Sequence, residues 1–228
     1  FALPGVLLRN REQLAMSNLA TWFTPSLQTI SRSAGRRSVL AAAYRACAAL
    51  TDERLGISRD FTPKGKHGLA ENICIGIPNN DIGKLFNDAE KAETRANSTV
   101  ARELMVPLPS AWTDAERAQC AGGLGEMLRA RYGVAVLVSI HRPSKDNNND
   151  HVHILFTTRE VDANGNFGKK TRILDDVKTG EVKKLREAVC EIVNVQAKAQ
   201  GDDWYVYAGK FSDIIDDYVP TKHISIKA

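Results

Sequence analysis

The sequence has no CxxC pair, no internal repeat, no low-complexity segment and no apolar run near the ~20 residues that a membrane-spanning helix needs. Aromatic residues make up 7% of the 228, and there are only five histidines. The four cysteines, Cys47, Cys74, Cys120 and Cys190, lie far apart. That spacing argues against a zinc-thiolate site and suits reduced thiols in a cytoplasmic protein. The first fifteen residues lack the basic-then-apolar order and small-residue cleavage site of a secretory signal. Met16 reads as a natural start. Residues 1–15 are therefore expected to be a non-native or upstream extension, and residues 16–228 one domain at the N-terminal part of a longer protein. A net charge of +4 by itself says nothing about nucleic acid. Its distribution says more. Residues 32–66 carry eight basic and three acidic side chains, a local +5, and residues 202–217 carry five acids against one Lys, a local −4.

The chain alternates strand-like and helix-like segments. Residues 19–31 read as a strand with an edge or bulge at Pro25. The Ala-rich run from Ser38 predicts a helix ending before Gly56, with Ser38 as its N-cap. Residues 56–68 read as a surface loop, 70–77 and 99–108 as strands, and 81–96 as a helix. Thr113 followed by Glu116 is a capping box that opens a helix to about Tyr132. Val134 to His141 and His151 to Glu160 predict two strands joined by RPSKDNNND. Asn164-Gly165 is a hairpin signal before a strand at 166–173, and 176–199 reads as a long helix. The pattern predicts an α+β fold, a mostly antiparallel central sheet of about five strands flanked by helices in two or three layers.

Three of the histidines fall within thirteen residues. His151 and His153, two apart on a strand, share one face, while Val152, Ile154 and Phe156 share the other. The preceding strand has the same polarity, with His141 and Ser139 opposed to Ile140 and Val138. Paired as a hairpin, these strands bring three imidazoles to one rim of the sheet. Three neutral imidazoles without a fourth protein ligand leave coordination positions open, the mark of a catalytic rather than a structural metal.

Four segments carry a family resemblance. Ile30 to Gly56, with its Ala-rich helix, resembles the opening motif of the MobA/MobL relaxases, the conjugative DNA-nicking enzymes of the MOBQ group. His151 to Asp176 resembles their HUH motif and the segment after it. Asn97 to Pro109 is similar to their Ala-Arg-Glu strand, and Val219 to Ser225 to the Pro-Thr-x-His run that closes the domain. The resemblance implies Tyr44 as nucleophile and His141, His151 and His153 as metal ligands. It implies Glu103 as an acid near the centre, either a base for Tyr44 or an orienting partner for a histidine. In the family an acid follows the first His and a Pro precedes the HxH pair. Here Arg142-Pro143 follows His141 and Asp150 precedes His151, so that Asp146 is the available acid.

The implied reaction is metal-assisted transesterification at a plasmid origin of transfer, leaving a 5′-phosphotyrosyl DNA intermediate for conjugative mobilisation. The implied cofactor is one divalent ion, Mn or Mg in the cell and Zn or Ni in crystals. The implied partners are single-stranded or hairpin DNA, accessory relaxosome proteins and a coupling protein, with no membrane insertion. Arg32, Arg36, Arg37 and Arg45 near Tyr44, and Lys169, Lys170 and Arg172 beyond the Asn164-Gly165 turn, are candidate phosphate contacts. Trp22, Trp112 and Trp204 suit core packing better than base stacking, and His67 and His223 stand alone. Alternatives are a rolling-circle replication initiator, a DNA-binding module without catalysis, and an unrelated metal hydrolase. Tyr44 preceding the histidines favours the relaxase over the initiator, and the basic clusters count against the hydrolase.

Overall fold

The computed structural model describes residues 20–21, 23, 25–142 and 149–209. Trp22, Asp146, His223 and the segment 219–225 lie outside the described residues. The chain divides into two compact units. One is Thr24–Leu185; of the other, residues 20–21, 23 and 186–209 are described. In this second unit β1 (Ala20–Thr21) pairs in parallel with β10 (Tyr205–Val206), and the Asn194 side chain clasps the Val206 backbone from both sides, at 2.7 and 2.9 Å.

The larger unit is built on a sheet in the order β2-β6-β8-β7-β5, all neighbours antiparallel. The strands are β2 (Ser26–Ser31), β5 (Leu69–Ile75), β6 (Thr99–Pro107), β7 (Val134–His141) and β8 (His151–Val161). Short β9 (Phe167–Lys170) pairs with the far end of β8. The predicted α+β class and five-strand antiparallel sheet are observed. Helix α1 (Ser38–Ala46) and α3 (Ile82–Lys91) pack on one face, where Val39, Ala42, Ala46, Leu85 and Phe86 meet Ala101, Leu137 and Leu155 in a buried cluster. Helix α4 (Asp114–Tyr132) covers the other face through Leu124, Gly125 and Leu128. Its N-terminus carries the capping box expected at Thr113 and Glu116, and Gly133 ends it at φ 67°. Among the described residues no helix is long and apolar enough to cross a membrane.

Several boundaries differ from expectation. The Ala-rich helix stops at Ala46, because Cys47 adopts the left-handed conformation (φ 50°, ψ 48°) and the chain turns into a hairpin of β3 (Ala49–Asp52) and β4 (Ile57–Asp60). Tertiary contacts override the Ala propensity: the Asn87 side chain accepts from Glu53 N and donates to Thr51 O, both at 2.9 Å. Ser38 is the first helical residue rather than the cap, and its hydroxyl donates to the buried Glu90 carboxylate at 2.7 Å. The expected loop at 56–68 contains β4 and a short helix, α2 (Thr62–Gly68). The strand read at 19–31 is two, separated around Pro25, and the long helix read from 176 is α5 (Glu181–Gln200).

Gly125 shows how closely α4 seats on the sheet. A Cβ there would stand 2.5 Å from Ile75 Cδ1 and 2.8 Å from Val138 Cγ2. Alanine in a helix interior normally stabilises relative to glycine. Here overpacking reverses the sign, and Gly125→Ala is expected to lower stability by about 1–3 kcal/mol in chemical denaturation. An unchanged or raised midpoint would show that the interface has slack.

Candidate metal centre and nucleophile

The hairpin of β7 and β8 sets His141 directly opposite His151 and Ser139 opposite His153. The period-two pattern puts all three imidazoles on the face covered by α1. Ring centroids lie 5.6 Å apart for His141 and His151, 5.2 Å for His141 and His153, and 4.8 Å for His151 and His153. Three imidazoles sharing an ion ~2.1 Å from each nitrogen would have ring centres roughly 5 Å apart.

Each ring faces an oxygen acceptor. His141 Nε2 donates to the Arg45 carbonyl at 2.9 Å, and His151 Nδ1 to the Asn149 carbonyl at 2.7 Å. His153 Nδ1 lies 2.8 Å from Glu103 Oε1 but off hydrogen-bond alignment, a buried nitrogen beside the carboxylate without a formed bond. A carbonyl or carboxylate on one ring nitrogen fixes the lone pair on the other, the arrangement found behind metal-ligating histidines. Burial pushes His141 down to about 4 and holds His153 below the usual imidazole value. Both are therefore neutral near pH 7, the form that coordinates metal. Among the described residues no three His, Cys, Asp or Glu side chains already stand as a coordination shell. The trio fits a divalent ion in donor chemistry and ring spacing, and the rings would have to turn to close on it.

Glu103, on β6, is 4% exposed and grips the Arg45 guanidinium with both oxygens: Oε1 accepts from Nε, and Oε2 from Nη2 at 3.1 Å. Burial pushes this carboxyl up, but the contacts with His153 and Arg45 outweigh it and hold the group at about 2. Arg45 thus reaches two members of the site, His141 through its carbonyl and Glu103 through its side chain. Asn72, which the sequence did not single out, ties the same helix end down. Its Nδ2 donates to Ala46 O at 2.9 Å, and its Oδ1 accepts from Ser139 Oγ at 2.7 Å.

Tyr44 precedes Arg45 on the last turn of α1 and is 39% exposed. Phe61 meets its ring edge-on at 5.2 Å, and Lys64 Nζ stands 3.3 Å from the ring centroid. Lys64 lies in α2, inside the stretch expected to be loop. Its signal was the local positive charge, without anything in the sequence to say which cation reaches the ring.

The other expected phosphate contacts separate into two kinds. Arg36 and Arg37 are exposed at the start of α1, with Arg36 Nη1 donating to Gln28 at 2.8 Å. Arg32 is instead internal glue: Nε donates to Glu90 at 3.0 Å, and Nη1 to the carbonyls of Glu93 and Arg95 at 3.1 and 2.9 Å. Lys170 is likewise bound, to Glu93 at 3.0 Å and Thr99 O at 2.7 Å. Lys169, Lys170 and Arg172 are not brought to the histidines. Lys170 pairs with Arg159, eight residues along β8 from His151, which is roughly 27 Å of strand. Trp112 is buried.

The profile of the MobA/MobL family matches residues 36–228, from the start of α1 through the histidine hairpin and beyond. The chain belongs to the MobA/MobL family. It is 34% identical over 175 residues to the mobilization protein MobL of Acidithiobacillus ferridurans, covering 67% of this chain and 46% of that protein. With the probable mobilization protein MobA of Bifidobacterium longum it shares 31% over 141 residues, 60% of this chain and 25% of that one. The chain thus spans half or less of these relatives. A solved structure described as the molecular basis of vancomycin resistance transfer in Staphylococcus aureus has the same fold, at TM-score 0.71 and 21% identity, covering 83% of this chain and all of that one.

The Arg45–Glu103 pair generates two expectations. Arg45→Ala strands a buried carboxylate and is expected to cost about 2–4 kcal/mol by chemical denaturation, with Glu103→Gln in the same chain restoring part of it. The Glu103 carboxyl is lower in the folded protein than in the unfolded chain, so its stabilisation is complete above the unfolded value and is lost as pH falls toward about 2. In metal-free protein, Glu103→Gln should therefore flatten the acid limb of the stability profile between about pH 5 and pH 2. Parallel acid limbs in both proteins would show that Glu103 is not the group responsible.

Proposed function

We propose that this chain is the DNA-nicking relaxase domain of a mobilisation protein, taken as residues 16–228, and that it cuts one strand at an origin of transfer. The observation that carries the reading is the exposed Tyr44, one residue before the Arg45 that links α1 to His141 and, through Glu103, to the His153 contact. The Tyr44 oxygen, giving up its proton, would attack the scissile phosphorus and form a phosphotyrosyl bond. The P–O3′ bond breaks and the leaving oxygen takes up a proton as a 3′ hydroxyl. Because one phosphodiester replaces another, the step is reversible and rejoining needs no nucleotide cofactor.

His141, His151 and His153 would hold one divalent ion, Mn or Mg in the cell, which when bound supplies positive charge at the scissile phosphate. The residues of the chain do the rest. Lys64 and Arg45 add fixed cations beside the Tyr44 ring, where charge develops in the transition state. Glu103, with both oxygens engaged and held at about 2, is better suited to orienting His153 than to taking the Tyr44 proton. The names of the relatives, both mobilisation proteins, support the biological setting, and the accessory proteins and coupling protein of a relaxosome belong to the same reading.

Incubation with a labelled single-stranded origin oligonucleotide and Mn²⁺ or Mg²⁺ should give a protein–DNA adduct that survives denaturation. Tyr44→Phe is expected to abolish it, His151→Ala to reduce it at least about tenfold, and EDTA to suppress it. Lys64→Ala should slow adduct formation by about tenfold at saturating oligonucleotide. An adduct as abundant in Tyr44→Phe as in the unaltered chain sinks the mechanism.

A further inference from the structure

Of the three imidazoles, His141 and His153 are buried and face Arg45 and Glu103, whereas His151 is half-buried. Its ring is held by the Asn149 carbonyl, two residues back in its own strand approach. Where that carbonyl stands is set by the residue between them, Asp150. Asp150 is buried and pinned twice. Its carbonyl accepts from Leu108 N at 2.9 Å, and its carboxylate meets Arg117, near the start of α4. Arg117 is buried as well. Its Nη1 donates to the carbonyls of Pro109, Ser110 and Trp112, and its Nη2 to Asp114 Oδ1 at 2.9 Å. That leaves Nε, a buried donor with no hydrogen bond among the described residues, 3.6 Å from Asp150 Oδ1. The other Asp114 oxygen accepts from Arg142, the residue after His141, whose backbone N–H donates to Gly68 O at 2.9 Å. The start of α4 thus holds the chain beside His141 and again beside His151.

We propose that Arg117 is the positioning residue for His151, acting through Asp150, and that α4 thereby sets how tightly the histidine rim holds its divalent ion. The inference rests on the function proposed above. A ligand loses metal affinity when the shell that orients it is loosened. His151 is the ligand with the least packing of its own, so it depends most on such a shell. Charge argues the same way. By Coulomb's law alone, a guanidinium beside the rim opposes a metal cation. A positional role has the opposite sign, which makes the two separable. Arg142 and Asp150 are also the positions where this chain departs from the family's histidine motif, and both are paired with α4. The clamp therefore belongs to this chain and not to the motif.

The test titrates Mn²⁺ into the metal-free full chain by isothermal calorimetry, for the unaltered protein, Arg117→Met, Asp150→Asn and the double variant. Each single variant is expected to bind about tenfold more weakly. The double variant should also lose about tenfold, because both substitutions break one linkage. Arg117→Met binding as tightly as the unaltered chain, or more tightly as removal of a cation alone predicts, overturns the proposal. So do losses that multiply to about a hundredfold in the double variant, which would mark two independent effects. Should Arg117→Met fail to fold, the near-isosteric Asp150→Asn carries the test. The visible band of the Co²⁺-loaded chain reports the ligand set and should shift in Asp150→Asn. A weakened Kd with an unchanged Co²⁺ band would mark a charge effect, and that too overturns the proposal. Failure of the unaltered chain to bind Mn²⁺ defeats the metal reading and the clamp together. Absence of a Tyr44 adduct, with the pattern of Kd values intact, would defeat the nicking reading while leaving the clamp in place.

Discussion

The contact on which the rest of the site depends is the bidentate pair between Arg45 and the buried Glu103. It joins the end of a helix to the middle of a strand, and each partner has a second duty. The Arg45 carbonyl accepts from His141, and the Glu103 carboxylate faces His153. An isolated carboxylate could not remain charged at that depth without such a partner. The pair therefore couples three things that could otherwise vary independently: where α1 stops, which way two imidazoles face, and where Tyr44 is presented. Asn72 reinforces the arrangement from β5.

A second use of buried carboxylates explains why so much of the basic charge is structural. Glu90 receives Ser38 and the guanidinium groups of Arg32 and Arg54, and Glu93 receives Arg159 and Lys170. Both acids sit at the end of α3 and in the loop beyond it. They draw in cations from the turn after β2, the β3–β4 turn, β8 and β9, residues separated by as many as 77 positions from Glu93. The local excess of positive charge around Tyr44 is accordingly smaller in space than in sequence.

This separation decides what was legible in the sequence. The histidine rim was legible because strand periodicity acts over two residues and the hairpin pairs neighbours in the chain, so that polarity alone places His141 against His151. The sheet and the capping box of α4 were legible for the same reason. The end of α1 was not, because Ala-rich propensity favours continuation, and the stop is imposed by Asn87 and Asn72 from distant elements. The internal partners of Arg32 and Lys170 were not legible, because they lie on other parts of the fold. Lys64 was invisible because a Pro- and Gly-containing stretch reads as loop, although Thr62–Gly68 forms the turn of helix that brings its ammonium over Tyr44.

The position of Tyr44 on the last turn of α1 has an electrostatic consequence. Helix C-termini carry roughly half a negative charge, from carbonyls that lack intrahelical partners. An anionic backbone approaching Tyr44 comes toward that pole, the unfavourable end of a helix for phosphate. The protein lessens the mismatch in two ways. The N–H groups of His141 and Asn72 occupy the carbonyls of Arg45 and Ala46, drawing down the pole itself. Arg45 and Lys64 then place whole positive charges over the ring. The imidazole that faces the site with one nitrogen thus tempers the helix with the other, so the same side chain serves as prospective ligand and as cap.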